Sequence, residues 1–302
     1  MHVIYVANHR PHDNLDEEAI AWSLMKLGHT VTPIREDGAK FVGVDKLDAD
    51  FLLFHKWEDY DVMAKVRIPM VGWYFDLISN RDDPTLARRM DVRRKWFSKV
   101  LPHCKLMFFT DGDWVDADTT GKLRFLPQGC DERVAGFGKA PKSDRGRPPI
   151  LFTGMVNHGR KRTEHIERLQ ARYGNMFEVF GDRFGPNYRV HGRCLADLMA
   201  DRIVIAPDGP GTDRYWSNRV WLTLSLGGFL LHPYCSGLKA YYTEEQLVTY
   251  HDRDQLEALI DHNLQHPEAR VEAVRKGYDR TLKEHTYKQR CKELVNTVKG
   301  VL

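Results

Sequence analysis

Short apolar runs alternate with helical patterns from one end of this chain to the other, and that rhythm leaves few folds open. His2-Val3-Ile4-Tyr5-Val6-Ala7 opens the sequence as a strand, by its length and its β-branched content. A polar loop from Asn8 to Asp16 leads to a helix whose apolar face carries Ala19, Ile20, Leu24 and Leu27. That helix stops at Gly28, and Thr30 to Ile34 makes the second strand. Further strands are expected over 51–54, 70–75, 106–109 and 123–126. Strand and helix taking turns in this way argue for a parallel sheet wrapped by helices.

The rhythm breaks once. Between Gly136 and Pro149 the residues have nothing to bury, and two prolines close the stretch. Alternation restarts with Ile150-Leu151-Phe152-Thr153-Gly154 and a helix from about Arg162 to Tyr173. Strands follow at 177–180, 203–206 and 229–231, with a helix from Cys194 to Ala200. The reading is α/β, with two Rossmann-like, doubly wound parallel-sheet domains facing a central cleft. The first spans 1–140 and the linker 141–149. The second spans 150–285, and a helix over 286–302 is set to pack back on the first domain. Such an arrangement puts a ligand at the carboxyl ends of both sheets.

Composition narrows the class. The chain has 302 residues, a net charge of +3 and an ordinary apolar fraction of 42%, as expected of a folded globular protein. No apolar run approaches the ~20 residues that cross a bilayer, and the first residues read as a strand, not a secretion signal. Five scattered cysteines with no CxxC pair favour reduced thiols, hence a cytoplasmic protein, over disulfides or zinc. No histidine pair shows metal-ligand spacing, so no metal site is expected.

Tyr215-Trp216-Ser217-Asn218-Arg219-Val220-Trp221-Leu222-Thr223-Leu224-Ser225-Leu226-Gly227-Gly228-Phe229-Leu230-Leu231 reads as a helix start, a short apolar helix, a glycine stop and a buried strand. Asn218 and Arg219 at a capped helix start suit a phosphate, whereas the alternative is a solvated arginine in an ordinary crossover. This stretch, with Tyr234-Cys235-Ser236-Gly237-Leu238 after it, resembles the donor-domain signature of GT-B glycosyltransferases. The branch it is most similar to includes CgeB-type and phage-encoded sugar transferases. The similarity continues through 252–256 and 266–270 to Glu284-His285-Thr286-Tyr287 and Arg290. One departure stands out. The glutamate that many relatives place on donor ribose is Leu222 here, and the one expected eight residues earlier is Arg214, so that contact does not carry over.

Two loops of the second domain are candidates for a nucleotide diphosphate. Gly154-Met155-Val156-Asn157-His158-Gly159-Arg160-Lys161-Arg162 leaves a strand and enters a helix, with glycine for close approach and three cations for charge. The second loop, 207–214, runs into Ser217, Asn218 and Arg219. Donor-binding candidates are therefore Gly154, Arg160, Lys161, Arg162, Ser217, Asn218 and Arg219, with Tyr188 near the nucleobase. Trp216 and Trp221 read as core.

The resemblance implies a glycosyltransferase using a nucleotide-sugar co-substrate, a UDP-sugar first, with no cofactor required. Its acceptor hydroxyl needs a base. Asp76, closing Gly72-Trp73-Tyr74-Phe75, is the first candidate and His55, closing Phe51-Leu52-Leu53-Phe54, the rival. His9 and Asp13 are acceptor contacts. From Arg81 to Lys105 eight basic residues stand against three acidic ones, with Trp96 and Phe97 among them. Arg93, Arg94 and Lys95 in this helix suit double-stranded DNA, and some phage relatives glycosylate hydroxymethylated bases there. The target base would have to leave the stack. Other acceptors are a surface glycan, a protein or a metabolite, and a non-catalytic nucleotide- or nucleic-acid-binding protein is the alternative class. A dinucleotide oxidoreductase is disfavoured because no G-x-G-x-x-G follows either first strand.

Overall fold

The computed structural model describes residues 1–9, 16–39, 43–55, 57, 59–79, 84–135, 147–156, 160–181, 192–207 and 212–302. They divide into two units, Met1–Gly129 with Thr286–Leu302, and Cys130–His285. Most of the linker expected at 141–149 lies outside the described residues.

Unit 1 begins β1 (His2–Ala7), α1 (Asp16–Lys26), β2 (Thr30–Arg35), β3 (Phe51–Phe54) and α2 (Tyr60–Met63). It continues β4 (Met70–Tyr74), α3 (Pro84–Val100), β5 (Leu106–Phe109), α4 (Gly112–Asp116) and β6 (Leu123–Phe125). The strands pair in parallel in the order β2-β1-β3-β4-β5-β6. Strand order therefore reverses between β1 and β3. Phe51, Leu52, Leu53 and Phe54 are all at most 1% exposed, each burial being worth about 1.5–3 kcal/mol. Phe51 and Leu53 join one core layer while Leu52 and Phe54 join the other, so both sheet faces are covered.

Unit 2 runs α5 (Glu132–Ala135), β7 (Ile150–Thr153), α6 (Arg160–Tyr173), β8 (Phe177–Phe180), α7 (Gly192–Met199) and β9 (Ile203–Ile205). After these come α8 (Arg219–Ser225), β10 (Phe229–Pro233), β11 (Val248–Tyr250), α9 (Arg253–Gln265) and α10 (Pro267–Glu284). The parallel order is β11-β10-β9-β7-β8, so here the reversal falls between β7 and β9. The sequence reading did not anticipate β11. Its pairing of Thr249 with His232 and Tyr250 with Pro233 carries β10 two residues past Leu231.

The last helix, α11 (Tyr287–Lys299), belongs to unit 1. Thr286 and Gln289 close a reciprocal capping box at its start, with Thr286 N donating to Gln289 Oε1 at 2.7 Å. Tyr287, Cys291, Leu294, Val295 and Val298 recur on one face and join Ala19, Ile20 and Leu24 of α1 in the same core layer.

Candidate active site

In an open parallel sheet, ligands bind outside the carboxyl ends of the strands where strand order reverses. In unit 2 that point is the end of β7 beside the end of β9. Gly154 leaves β7 with φ 134, a backbone state that side chains rarely adopt. Its N–H donates to the Phe180 carbonyl at 2.9 Å. A Cβ on Gly154 would lie 2.9 Å from Arg219 Nη2, and one on Gly181 would strike the Gly154 carbonyl oxygen. The two loop ends thus pack backbone to backbone, as only glycines permit.

Arg219 starts α8 and reaches across to β7. Its Nη2 donates to the Thr153 carbonyl at 3.1 Å, and its guanidinium stands 5.3 Å from the Phe152 ring centre. The structure therefore brings together Gly154 and Arg219, two candidates 65 positions apart in sequence. Arg162 is half-buried and its Nη1 donates to the Met155 carbonyl at 2.9 Å, while Lys161 is exposed. His165 Nδ1 bonds the Pro207 carbonyl, which ties α6 to the end of β9. Arg160 opens α6, but its side chain and Tyr188 lie outside the described residues.

Ser217 and Asn218 are half-buried before α8. The capping bond expected of Asn218 is not formed: it is the N-cap residue with φ −57 and makes no side-chain cap hydrogen bond. Already helical at that angle, it cannot swing its amide over the next turn. With only seven residues, α8 also has a weak dipole, so Arg219 rather than the helix end is the anion-seeking group. Trp216 and Trp221 are core, at 3% and 0% exposed.

In unit 1 the reversal falls between the ends of β1 and β3. His55 ends β3 at 5% exposure. Its Nδ1 lies 2.8 Å from the Trp73 carbonyl, its ring centre 4.3 Å from that of Phe75, and its Nε2 3.9 Å from Glu17 Oε1. Glu17 sits in the first turn of α1, where the sequence offered a sufficient local reason for an acid, the positive end of a helix. His9, after β1, meets Tyr5 edge-on and bonds its carbonyl through Nε2 at 3.1 Å. Burial lowers the pKa of His9, against a smaller opposing pull from that hydrogen bond. Asp13 lies outside the described residues.

Asp76 follows β4, one strand from the reversal. Its Oδ2 accepts from Arg93 Nη2 at 2.9 Å, and Nη1 of the same guanidinium donates to the Leu77 carbonyl at 2.7 Å. A residue the sequence reading passed over, Asp111, pins the rest of this loop. Fully buried, it accepts from Ile78 N, Ser79 N and Ser79 Oγ at 2.7–2.8 Å and from Trp114 N at 3.2 Å.

The helix α3 differs from its sequence reading. Trp96 and Phe97 are buried against Tyr74, not offered to a nucleic acid. Arg93 is engaged with Asp76, and Arg94 rests 5.1 Å from the Trp114 ring centre. The apolar stripe that α3 owes the sheet takes in these neighbours. Exposed instead are Arg88, Val92, Lys95 and Lys99, which share one face at i, i+4, i+7 and i+11. Among the described residues no group of His, Cys, Asp and Glu could hold a metal ion, and no helix is long and apolar enough to cross a membrane.

Residues 160–296 match the family model described as glycosyl transferase-like. No curated protein matches the sequence. Similar solved structures include a sucrose-phosphate synthase from Thermosynechococcus elongatus, at TM-score 0.70 and 12% identity, with 99% of each chain covered. Anabaena HepE in complex with UDP and glucose is similar at TM-score 0.62 and 11% identity, covering 99% of this chain and 100% of that one. A T4 phage BGT mutant in complex with UDP-glucose is similar at TM-score 0.60 and 11% identity, covering 100% of this chain and 99% of that one. The fold is GT-B, and the stretch similar to the glycosyl transferase-like model takes in most of unit 2 and the start of α11.

Proposed function

We propose that this protein is a glycosyltransferase that takes its sugar from a UDP-sugar held by unit 2 and passes it to an acceptor hydroxyl at the carboxyl edge of unit 1. The observation that carries the reading is the reach of Arg219 to the end of β7, beside Gly154. A fixed guanidinium and an uncovered backbone at a switch point fit a diphosphate, whose charge grows as the bond to the sugar breaks. The basic start of α6 adds Lys161 and Arg162, with Arg160, to the same role; Ser217 and Asn218 lie next to it. Neighbours whose structures hold UDP and UDP-glucose support UDP as the carrier.

For the acceptor, we put forward a 5-hydroxymethylpyrimidine in double-stranded DNA. The exposed Arg88, Lys95 and Lys99 stripe of α3 would meet phosphates, in place of the expected Arg93 and Arg94. Reversing Lys95 and Lys99 to glutamate should then lower the slope of log affinity against log salt by about 2, since each phosphate contact contributes about 0.9. Binding isotherms at several salt concentrations check it, and an unchanged slope removes α3 from contact with DNA.

The experiment for the whole reading has two arms. Calorimetric titration with UDP and a panel of NDP-sugars should find one nucleotide bound and its sugar slowly hydrolysed. Mass spectrometry of hydroxymethylated and unmodified duplex DNA, incubated with the same panel, should find sugar on the hydroxymethylated sample alone. A protein that binds no nucleotide overturns the donor assignment. Nucleotide turnover with unmodified product masses overturns only the acceptor.

A further inference from the structure

We propose that the turn Cys235-Ser236-Gly237, just after β10, is the positioning element for Arg219: it clamps the loop that enters α8 and so sets where the guanidinium meets a diphosphate. The inference rests on the donor reading above and adds to it the residues that hold the arginine in place.

The need for a clamp follows from α8 itself. With seven residues the helix is too short to fix its own start, and Asn218 supplies no side-chain cap. Contacts outside the helix have to set the direction in which Arg219 leaves the chain. The preceding loop is gripped through Asp213. Its carbonyl accepts from Gly237 N at 2.9 Å and from the Cys235 thiol at 2.9 Å, and its carboxylate Oδ1 accepts from Ser236 Oγ at 2.9 Å. Three consecutive residues of one turn therefore hold both the backbone and the side chain of a single aspartate.

Each donor suits its place. Cys235 is 2% exposed. Burial raises its pKa above the usual thiol range, against a smaller opposing pull from the N–H groups of Gly237, Leu238 and Tyr215, so the sulfur keeps the hydrogen it donates. Gly237 lets the two backbones touch, since a Cβ there would lie 2.6 Å from the Asp213 carbonyl oxygen and 3.0 Å from the Trp216 ring. Trp216 carries the hold onward to α8. Its ring centre is 6.2 Å from that of Trp221 in α8 and 5.2 Å from that of Tyr241, which follows the 3-10 turn Ser236–Ala240. The indole is thus wedged between the helix and the segment that closes the clamp.

Clamp and target stand on one sheet. β10 pairs with β9, and β9 with β7, the strand whose end Arg219 reaches. A guanidinium recognises a diphosphate by the fixed geometry of its fork, so a small displacement of its stem loses binding that the charge alone does not recover.

Gly237→Ala and Ser236→Ala test the clamp in the full chain, each alone and combined with Arg219→Ala, with UDP affinity by calorimetry as the readout. Gly237→Ala sets a methyl against a backbone oxygen that cannot yield without moving the loop, and should lower UDP affinity about tenfold. Ser236→Ala removes one hydrogen bond and should lower it about threefold. Ser236→Thr keeps the hydroxyl and should restore it. Ser236 is exposed, so its variants test the clamp even where Gly237→Ala fails to fold. In the Arg219→Ala chain neither substitution should change UDP affinity by more than about twofold, because the clamp acts through the arginine. Losses of equal size with and without Arg219 overturn the proposal, since a turn that meets the nucleotide itself, or that only supports the fold, gives additive effects. Undiminished affinity in both single variants overturns it as well. A wild-type chain without UDP affinity sinks the donor reading, and this proposal with it.

Discussion

The two units repeat one scaffold and furnish it with opposite chemistry. Both are parallel sheets whose strand order reverses next to the first strand. At the reversal of unit 1 stand Glu17, His55 and His9; at that of unit 2 stand Gly154, Arg219 and the start of α6. The helices behind them differ most. The first turn of α1 holds Asp16, Glu17 and Glu18, each stabilising the positive helix end. The first turn of α6 holds Arg160, Lys161 and Arg162, with no acid among them, against its own dipole. Unit 1 is thus locally satisfied and presents acceptors of hydrogen bonds and protons. Unit 2 sets three basic residues at a helix start with no acid in that turn, a placement that an anion bound there would favour.

The sharpest test of their independence is Asp111→Ala. It strips a fully buried acceptor from two backbone N–H groups of the β4–α3 loop and one of α4. Leaving them unpaired should cost about 3 kcal/mol or more of stability, seen as a lowered denaturation midpoint. UDP affinity below that midpoint should stay as it was; if it falls in step, the units do not act separately. Next in size is Arg219→Ala. Loss of a charge-assisted contact is worth about 2–3 kcal/mol, or roughly 30–150-fold in UDP affinity. The stability of unit 1 should not move. Unchanged UDP binding would refute the phosphate role of Arg219.

Gly154→Ala should come third. At φ 134 any side chain is strained, and the added methyl would sit 2.9 Å from Arg219 Nη2. The flexible guanidinium can yield, so the expected loss is about tenfold in UDP affinity, roughly 1.4 kcal/mol. A loss equal to that of Arg219→Ala would mean the backbone strain, not the arginine, dominates the site.

These residues also mark how far the sequence could be read. The strands of both units were legible because Phe51-Leu52-Leu53-Phe54 and Ile203-Val204-Ile205 are apolar at every position, as burial on two faces demands. Val248-Thr249-Tyr250 was not, being an edge strand of three residues with a polar centre. On α3, Trp96 and Phe97 were read with the cations around them, although the helix had to bury a stripe somewhere. The ion pair of Asp76 with Arg93 joins residues 17 apart, and that of Glu17 with His55 residues 38 apart. No local pattern encodes such pairs. Asp111 was silent for the opposite reason, since an aspartate before a short helix is fully explained as a cap, and Trp114 N does donate to it.

The smallest expected effect separates the units most cleanly, because it changes sign between two measurements. Lys161 is exposed in the first turn of α6 and is given no partner in that turn by any acid. Lys161→Glu replaces an unfavourable charge at a helix N-terminus with a favourable one, which should raise stability by about 0.3–1 kcal/mol at low salt. The same substitution places negative charge beside the proposed diphosphate, so UDP affinity should fall several-fold. Added salt should shrink both changes, since an exposed charge is screened. In α1 the mirror substitution Glu18→Lys, at a residue of the same first turn, should lower stability and leave UDP affinity alone. A Lys161→Glu protein that gained stability and bound UDP as well as before would show the basic turn of α6 to be ordinary surface, leaving Arg219 to hold the diphosphate without it.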